Sequence, residues 1–394
     1  MAAERGAVVP DRLSVLHVVP YFPPDRMGGV GEVVAHVHEG LVRAGHRSTV
    51  LTSGTIRNEP SVTREGASPG AFVLRCARRA ELARGADVVH IHHGEGLGVL
   101  LAMRLLGIGT PVLLTLHVDV GQLRRSSLPV VVEGRRIGGD GTGFLHDVVG
   151  MRVREQLDRA ARALADRTTF ISRSAALDVL GPRGAHAPVV YNGIPPRDDP
   201  EGPTTQRPPE PVEMLYVGAA STRKRVELLP MVLARVRALR PDARLRVVGF
   251  GPDDHAGFVR VARELGVLRA IVFEGRKLSG ELGPYYWAAS VLVVPSAYEG
   301  LPMVILEAYR GGLPCVATRV SGHPEVIEHG RTGLLVRPDS PAEMAESILA
   351  LLDDPDRARR MGEEGRALVE SRFGVERQVE EYVELYGALR VGAP

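Results

Sequence analysis

The sequence predicts an α/β protein built from two doubly wound, parallel-sheet domains. Three observations lead there. Short apolar runs alternate with longer segments whose apolar residues recur at helical spacing, and such alternation gives parallel strands joined by crossover helices. The pattern breaks once, in residues 196–211, where Pro196, Asp198, Asp199, Pro200, Gly202, Pro203, Pro208, Pro209 and Pro211 read as a linker, and then restarts. Finally, 394 residues exceed the usual size of one hydrophobic core.

The first domain covers residues 1–195. Runs at 13–19, 48–53, 86–92, 111–117 and 168–172 are short and apolar enough for strands, and residues 31–44, 97–106 and 151–165 carry the apolar stripe of a helix. The second domain covers 212–374. Its strands are expected at 212–217, 244–248, 270–273, 291–295 and 314–318, and its helices at 226–239, 257–265, 282–289, 303–309 and 342–352. Asp354-Pro355-Asp356 reads as a helix start. A last helix at 375–390 is expected to pack back on the first domain. Two such halves would face each other across a cleft, since ligands of open α/β sheets bind outside the carboxyl ends of the strands.

Composition narrows the function classes. Hydrophobic residues at 44 % and charged residues at 24 % fit a globular chain rather than a disordered one. A net charge of +2 with 5 % aromatic residues gives no ground for nucleic-acid binding. No apolar stretch reaches the roughly 18 residues of a membrane span. The first residues show no apolar leader with a cleavage site. Cys76 and Cys315 stand far apart, outside any metal-ligand spacing, and suit a reducing compartment. A cytoplasmic location is expected. Lys224 and Lys277 are the only lysines among 49 basic residues, which makes the placement of each informative.

Three motifs carry chemistry. In Asp25-Arg-Met-Gly28-Gly29-Val-Gly31-Glu32, glycines at the start of the first helix let backbone N–H groups approach an anion. A tight turn without ligand is the alternative. In Gly218-Ala-Ala-Ser-Thr-Arg223-Lys224-Arg225, three consecutive cations follow a strand; they oppose the dipole of a helix start, so an anionic diphosphate gives a better reason for them. In Ser296-Ala-Tyr-Glu299-Gly-Leu301-Pro302-Met303-Val304-Ile-Leu-Glu307, a proline suited to a helix start is followed by N–H groups that can face an anion, those of Leu301, Met303 and Val304. Glu299 precedes this amide cluster. Glu307 lies one turn in, where a carboxylate can accept two hydrogen bonds from a vicinal diol such as a ribose.

Together these residues resemble glycosyltransferase family 4, retaining enzymes of the GT-B fold with two Rossmann-like domains facing a cleft. Glu299 and Glu307 match its motif of two glutamates with seven residues between them. Leu41-Val-Arg-Ala-Gly45-His46, Asp87-Val-Val-His90-Ile-His92, Thr115-Leu-His117, Val190-Tyr-Asn192-Gly193-Ile194, Val248-Gly249-Phe250-Gly251-Pro252 and Gly322-His-Pro-Glu325 are similar to further signatures of the family. The series spans nearly the whole chain. The resemblance implies that Glu307 holds the donor ribose and Glu299 contacts hydroxyls of the transferred sugar. Arg223, Lys224 and amides near Gly28, Gly29 and Val304 would bind the diphosphate. The base would lie near Gly251 and Arg276, and His117 would approach the transferred sugar. A core histidine closing a strand is the alternative for His117. Two positions depart from the family: Ala219 stands where it often has arginine, with Arg223 as the neighbouring substitute, and Pro195 stands where it usually has aspartate.

The resemblance thus implies hexosyl transfer from a UDP- or GDP-sugar to a hydroxyl of a polysaccharide, lipid, polyol or natural-product aglycone. No tightly bound cofactor and no metal site are expected, with His90 and His92 read as structural or as lining the cleft floor. The glutamates are not assigned as nucleophiles; the family pattern favours same-face attack, with the leaving phosphate taking the acceptor's proton. Residues 118–154, with Arg124-Arg125, Arg135-Arg136 and a glycine-rich stretch, are expected to determine the acceptor. A lid, an anionic-acceptor site, a peripheral membrane patch and a plain solvated loop all fit their composition. The rival readings are a nucleotide-sugar epimerase, a phosphorylase needing Lys277 for a pyridoxal cofactor, and a non-catalytic sugar-binding protein on the same architecture. Base, transferred sugar, acceptor and oligomeric state are left open.

Overall fold

In a computed structural model, residues 12–23, 29–53, 60–65, 69–138, 144–196 and 212–392 are described. They form two compact units. One holds the residues up to Val120, Gly150–Pro195 and those from Phe373 onward; the other holds Gly121–Val149 and those from Pro196 to Arg372. The linker assigned to 196–211 lies outside the described residues beyond Pro196.

In chain order the strands are β1 (Ser14–Val19), β2 (Arg47–Thr52), β3 (Val62–Arg64), β4 (Val88–His92), β5 (Val112–Leu116), β6 (Val130–Val132), β7 (Arg135–Ile137), β8 (Arg167–Phe170), β9 (Glu213–Val217), β10 (Arg244–Val248), β11 (Ile271–Gly275), β12 (Val291–Val294), β13 (Cys315–Thr318) and β14 (Gly333–Val336). The first unit's sheet runs β3-β2-β1-β4-β5-β8 and the second's runs β11-β10-β9-β12-β13-β14. Every pairing within both sheets is parallel. Each order reverses direction beside its first strand, the doubly wound arrangement whose ligand crevice lies at that switch point.

Register explains what each sheet face carries. His17 pairs with His90 and His92 pairs with Thr115. Side chains alternate along a strand, so His17, His90, His92 and Thr115 share one face. Towards the amino ends of the strands this face is apolar: Leu13, Val15, Val88 and Leu113 pack there with Tyr382 and Tyr386 of helix Val375–Gly392. The opposite face carries Leu16, Val18, Val89, Ile91, Leu114 and Leu116 in a purely apolar cluster.

Helix Val375–Gly392 belongs to the first unit. Gly193 N–H donates to Gln378 Oε1 at 2.9 Å, and Ile194 exchanges backbone bonds with Phe373 and Val375. The Asn192-Gly193-Ile194 signature is therefore a clasp for this helix. A Cβ on Gly193 would lie 2.4 Å from the Gly374 carbonyl. Asp354 caps helix Pro355–Arg372, accepting from Arg357 N–H at 2.9 Å.

A first domain running unbroken to residue 195 is not what the contacts show. Gly121–Val149 leaves the first unit and packs on the second. The β6–β7 hairpin is antiparallel, and Val132 and Ile137 cluster with Leu228, Met231 and Val261. Gly138 N–H donates to Glu227 Oε1 at 2.7 Å, and Arg225 Nη1 donates to the Leu128 carbonyl at 3.0 Å. Gly138 has φ +82, and a Cβ there would strike Thr222 Cγ2 at 2.1 Å. The segment expected to choose an acceptor is thereby tied to the loop that holds the cations.

Candidate functional site

The second unit gathers most of the expected site at the carboxyl ends of its strands. The loop after β9 turns through Thr222–Lys224, and the loop after β12 leads to Glu299. They are joined through backbone, Ala297 N–H donating to the Arg223 carbonyl at 2.7 Å. Arg223 Nη1 meets Glu299 Oε2 at 3.1 Å and the Tyr298 carbonyl at 3.2 Å. Lys224 Nζ pairs with Glu299 Oε1, which also accepts from Ser296 Oγ at 2.9 Å. Glu299 is buried. Burial alone would raise its carboxyl, but the Lys224 ammonium and Arg223 guanidinium outweigh it and hold it far below the usual range. The shift of Lys224 is not the mirror image: burial, helped by Arg223, lowers it despite Glu299. Two cations on one carboxylate leave this cluster with a charge of +1.

Arg225 does not join them. It sits at φ +51, in the left-handed region, and its buried side chain turns to Asp339 at 3.2 Å and to the Leu128 carbonyl. Of the three consecutive cations, two therefore meet Glu299 and the third is held elsewhere. Gly249 fixes this loop's other wall: at φ +120, a Cβ there would lie 2.3 Å from the Gly218 carbonyl.

Helix Met303–Arg310 follows Pro302. Met303 and Val304 open it, and their N–H groups have no carbonyl one helical turn back within it. Leu301 is buried just ahead. Glu307 is half-buried, and Tyr286 Oη donates to its Oε2 at 2.6 Å. Burial raises the Glu307 carboxyl above its ordinary value, and the Tyr286 bond opposes that rise. Tyr286 was not foreseen; it lies on another helix with no local signal linking it to Glu307. His323, seen only as part of a signature, also belongs here. Its Nδ1–H donates to the Thr318 carbonyl at 2.5 Å, and its Nε2 is buried with no partner among the described residues.

The residues expected to border the base lie in the turns after β10 and β11. Gly251 N–H is already committed to Asp254 Oδ2 at 2.7 Å. The Phe250 ring is core, edge-on to Tyr216 and Phe258. Arg276 is exposed after β11.

In the first unit, His117 follows β5 and is buried. His92 Nδ1 lies 3.2 Å from His117 Nε2, and His17 Nδ1 lies 3.3 Å from His92 Nε2. Burial keeps all three rings from taking a proton: it lowers His17 to about 3 and His92 and His117 well below their ordinary value. Nitrogens of His17, His90 and His92 come within 4.8 Å of one another, a spacing a metal ion could bridge. His90, however, has both nitrogens engaged, with Tyr386 Oη at 2.7 Å and Thr115 Oγ1 at 2.6 Å. Gly29 starts helix Gly29–Arg43 with open space around its α-carbon, whereas Gly28 lies outside the described residues. Among the described residues no helix is long and apolar enough to cross a membrane.

Comparisons with known proteins agree with this fold. The model described as Glycosyltransferase Family 4 matches residues 27–198, and that described as Glycosyl transferases group 1 matches residues 201–368. The chain is 30 % identical over 399 residues to the alpha-maltose-1-phosphate synthase of Mycolicibacterium smegmatis, covering 93 % of this chain and 96 % of that one. It is 28 % identical over 408 residues to the glycogen synthase of Mycobacterium tuberculosis, covering 96 % of each. Among solved structures, sucrose-phosphate synthase from Thermosynechococcus elongatus aligns with a TM-score of 0.77 at 23 % identity, covering 96 % of this chain and all of that one. Anabaena HepE in complex with UDP and glucose aligns with a TM-score of 0.71 at 17 % identity, covering 95 % of this chain and all of that one.

Proposed function

This chain belongs to glycosyltransferase family 4, and from that premise we propose that it moves a hexosyl group from a UDP-sugar to an acceptor hydroxyl with retention of configuration. The observation that carries the reading is the Arg223–Lys224–Glu299 cluster beside the opening turn of helix Met303–Arg310. Its surplus positive charge suits a diphosphate. UDP is the nucleotide bound in the HepE neighbour.

Each residue then has a task. Arg223 and Lys224, with the N–H groups of Leu301, Met303 and Val304, hold the diphosphate, and Arg223 supplies the cation missing at Ala219. The diphosphate oxygens are neutralised by these groups rather than by a metal ion. As the glycosidic bond breaks, negative charge grows on the leaving phosphate, so the same groups stabilise the transition state more than the ground state. Glu307 receives the ribose diol on the oxygen that Tyr286 leaves open. Glu299 orients hydroxyls of the transferred sugar. Clamped by two cations and strongly ionised, it is a poor nucleophile, which favours same-face attack with the leaving phosphate taking the acceptor's proton. His117 meets the transferred sugar. Gly28 and Gly29 offer backbone to the phosphates, and Gly251 and Arg276 border the base. The chain works in the cytoplasm, where nucleotide sugars are at hand.

Titration calorimetry with UDP, GDP and ADP tests the donor site. UDP is expected to bind tightest, and Glu307→Ala to lose at least tenfold in affinity. Equal binding by the variant would remove Glu307 from the site. Release of UDP from UDP-glucose, dependent on Lys224, tests the chemistry.

A further inference from the structure

We infer that His17 and His92 are positioning residues: through a buried chain of hydrogen bonds they fix His117 in the tautomer that carries its proton on Nδ1, so that it meets its ligand as a hydrogen-bond donor and never as a base. The inference deepens the proposed role of His117 and rests on that reading for its functional meaning, though not for its geometry.

The chain has one free end. His17 Nε2 is buried with no hydrogen-bond partner among the described residues. A neutral imidazole carries one N–H and one bare nitrogen. If the proton of His17 sat on Nε2, a buried N–H would be orphaned, an arrangement folded proteins rarely tolerate; a bare lone pair in the same place loses less. The proton therefore sits on Nδ1. Everything else follows from connectivity. His17 Nδ1–H donates to His92 Nε2 at 3.3 Å. His92 must then carry its own proton on Nδ1, which donates to His117 Nε2 at 3.2 Å. His117 Nε2 is thereby the acceptor, and its proton is left on Nδ1. Among the described residues that nitrogen makes no hydrogen bond within the protein, and unlike His17 Nε2 it is not one of the fully buried orphans. The rings cannot escape the constraint by charging, because burial keeps all three neutral. His90 does not compete, since Tyr386 and Thr115 take both its nitrogens.

A fixed donor suits a neutral sugar hydroxyl, which accepts through its oxygen. It excludes deprotonation of an acceptor hydroxyl by His117, consistent with the leaving phosphate doing that.

Long-range proton–nitrogen NMR correlation on 15N-histidine-labelled protein, with His117 assigned through His117→Gln, reads the tautomer directly. The expected spectrum has a proton-bearing Nδ1 and a bare Nε2 at His117; the reverse would overturn the inference. His17→Phe removes the first donor. It should leave His117 as a mixture of tautomers and lower the rate of UDP release from UDP-glucose about tenfold, with little change in KM. In a His117→Ala background it should cost no further rate. A His117 spectrum unchanged by His17→Phe would show that the chain does not set the tautomer. If His17→Phe does not fold, the wild-type spectrum still decides. Absence of UDP-glucose turnover in the wild type would count against the donor reading alone, because the tautomer is read without substrate.

Discussion

Replacing Lys224 by methionine tests the charge logic of the second unit. The variant keeps the apolar stem and removes one charge, so the cluster goes from +1 to neutral. Two unit charges about 4 Å apart interact by about 4 kcal/mol at an effective dielectric near 20. Arg223 remains and solvent screens part of the field, so the loss in UDP affinity should be about 2–3 kcal/mol, or about 30- to 150-fold at about 1.4 kcal/mol per decade. Breaking a buried pair typically costs about 3–5 kcal/mol when the partner is stranded. Here Glu299 keeps Arg223 and Ser296, and a fall in unfolding free energy of about 2 kcal/mol is expected. Arg225→Met is the matched control. It breaks the Asp339 and Leu128 contacts and should lower stability by about 2 kcal/mol, with UDP affinity within twofold of wild type. Calorimetric titration at two salt concentrations, paired with urea unfolding, separates the two effects. Wild-type affinity in Lys224→Met would refute the assignment. So would equal affinity losses in the two variants.

Three further outcomes follow from local geometry. Because the Glu307 carboxyl is raised, it takes up its proton at a higher pH than an ordinary glutamate, so UDP affinity should weaken as pH falls into that range; Glu307→Gln should be weaker throughout and lack this component when the two pH profiles are compared. Gly249→Ala places a methyl 2.3 Å from the Gly218 carbonyl at a φ that alanine resists; a loss of about 3 kcal/mol or more in urea unfolding is expected, and a stability equal to wild type would mean the loop yields freely. Glu227→Ala strands the Gly138 N–H; it should cost about 1–3 kcal/mol and speed tryptic cleavage at Arg135 and Arg136, read by mass spectrometry of the digest.

How much of this was legible in the sequence depended on the range of the interaction. The long strands and helices are local patterns, and most lie where alternation and helical spacing put them. The three-residue strand β3 and the β6–β7 hairpin are too short for periodicity to resolve. The hairpin did leave a turn signal in Glu133-Gly134, both at positive φ as a tight two-residue turn requires. Glu299, Glu307, Arg223 and Lys224 stand out in the sequence because each lies in a dense local motif. The Tyr286–Glu307 bond and the links from His117 through His92 to His17 do not, because strand register and helix packing make them, and one sequence records neither. Arg225 shows the opposite failure: three adjacent cations look equivalent in sequence, and only a left-handed backbone angle turns the third away.

The same strand order is used twice to opposite electrical ends. At the carboxyl ends of the second sheet, two cations crowd a single carboxylate and leave fixed positive charge, which in the proposed reaction becomes more useful as the leaving phosphate develops charge. At the carboxyl ends of β4 and β5 in the first sheet stand His92 and His117, imidazoles that burial keeps neutral. The difference follows from what lies beneath each loop. Glu299 supplies an internal counterion that lets Lys224 remain charged in a buried place, whereas His117 is backed by His92 and His17, which offer it no compensating negative charge. A carboxylate introduced at position 92 should therefore do to His117 what Glu299 does to Lys224. His92→Asp would favour a charged imidazole, raise the His117 pKa from its depressed value, and add to the pH profile of UDP-glucose turnover a component that the wild type lacks.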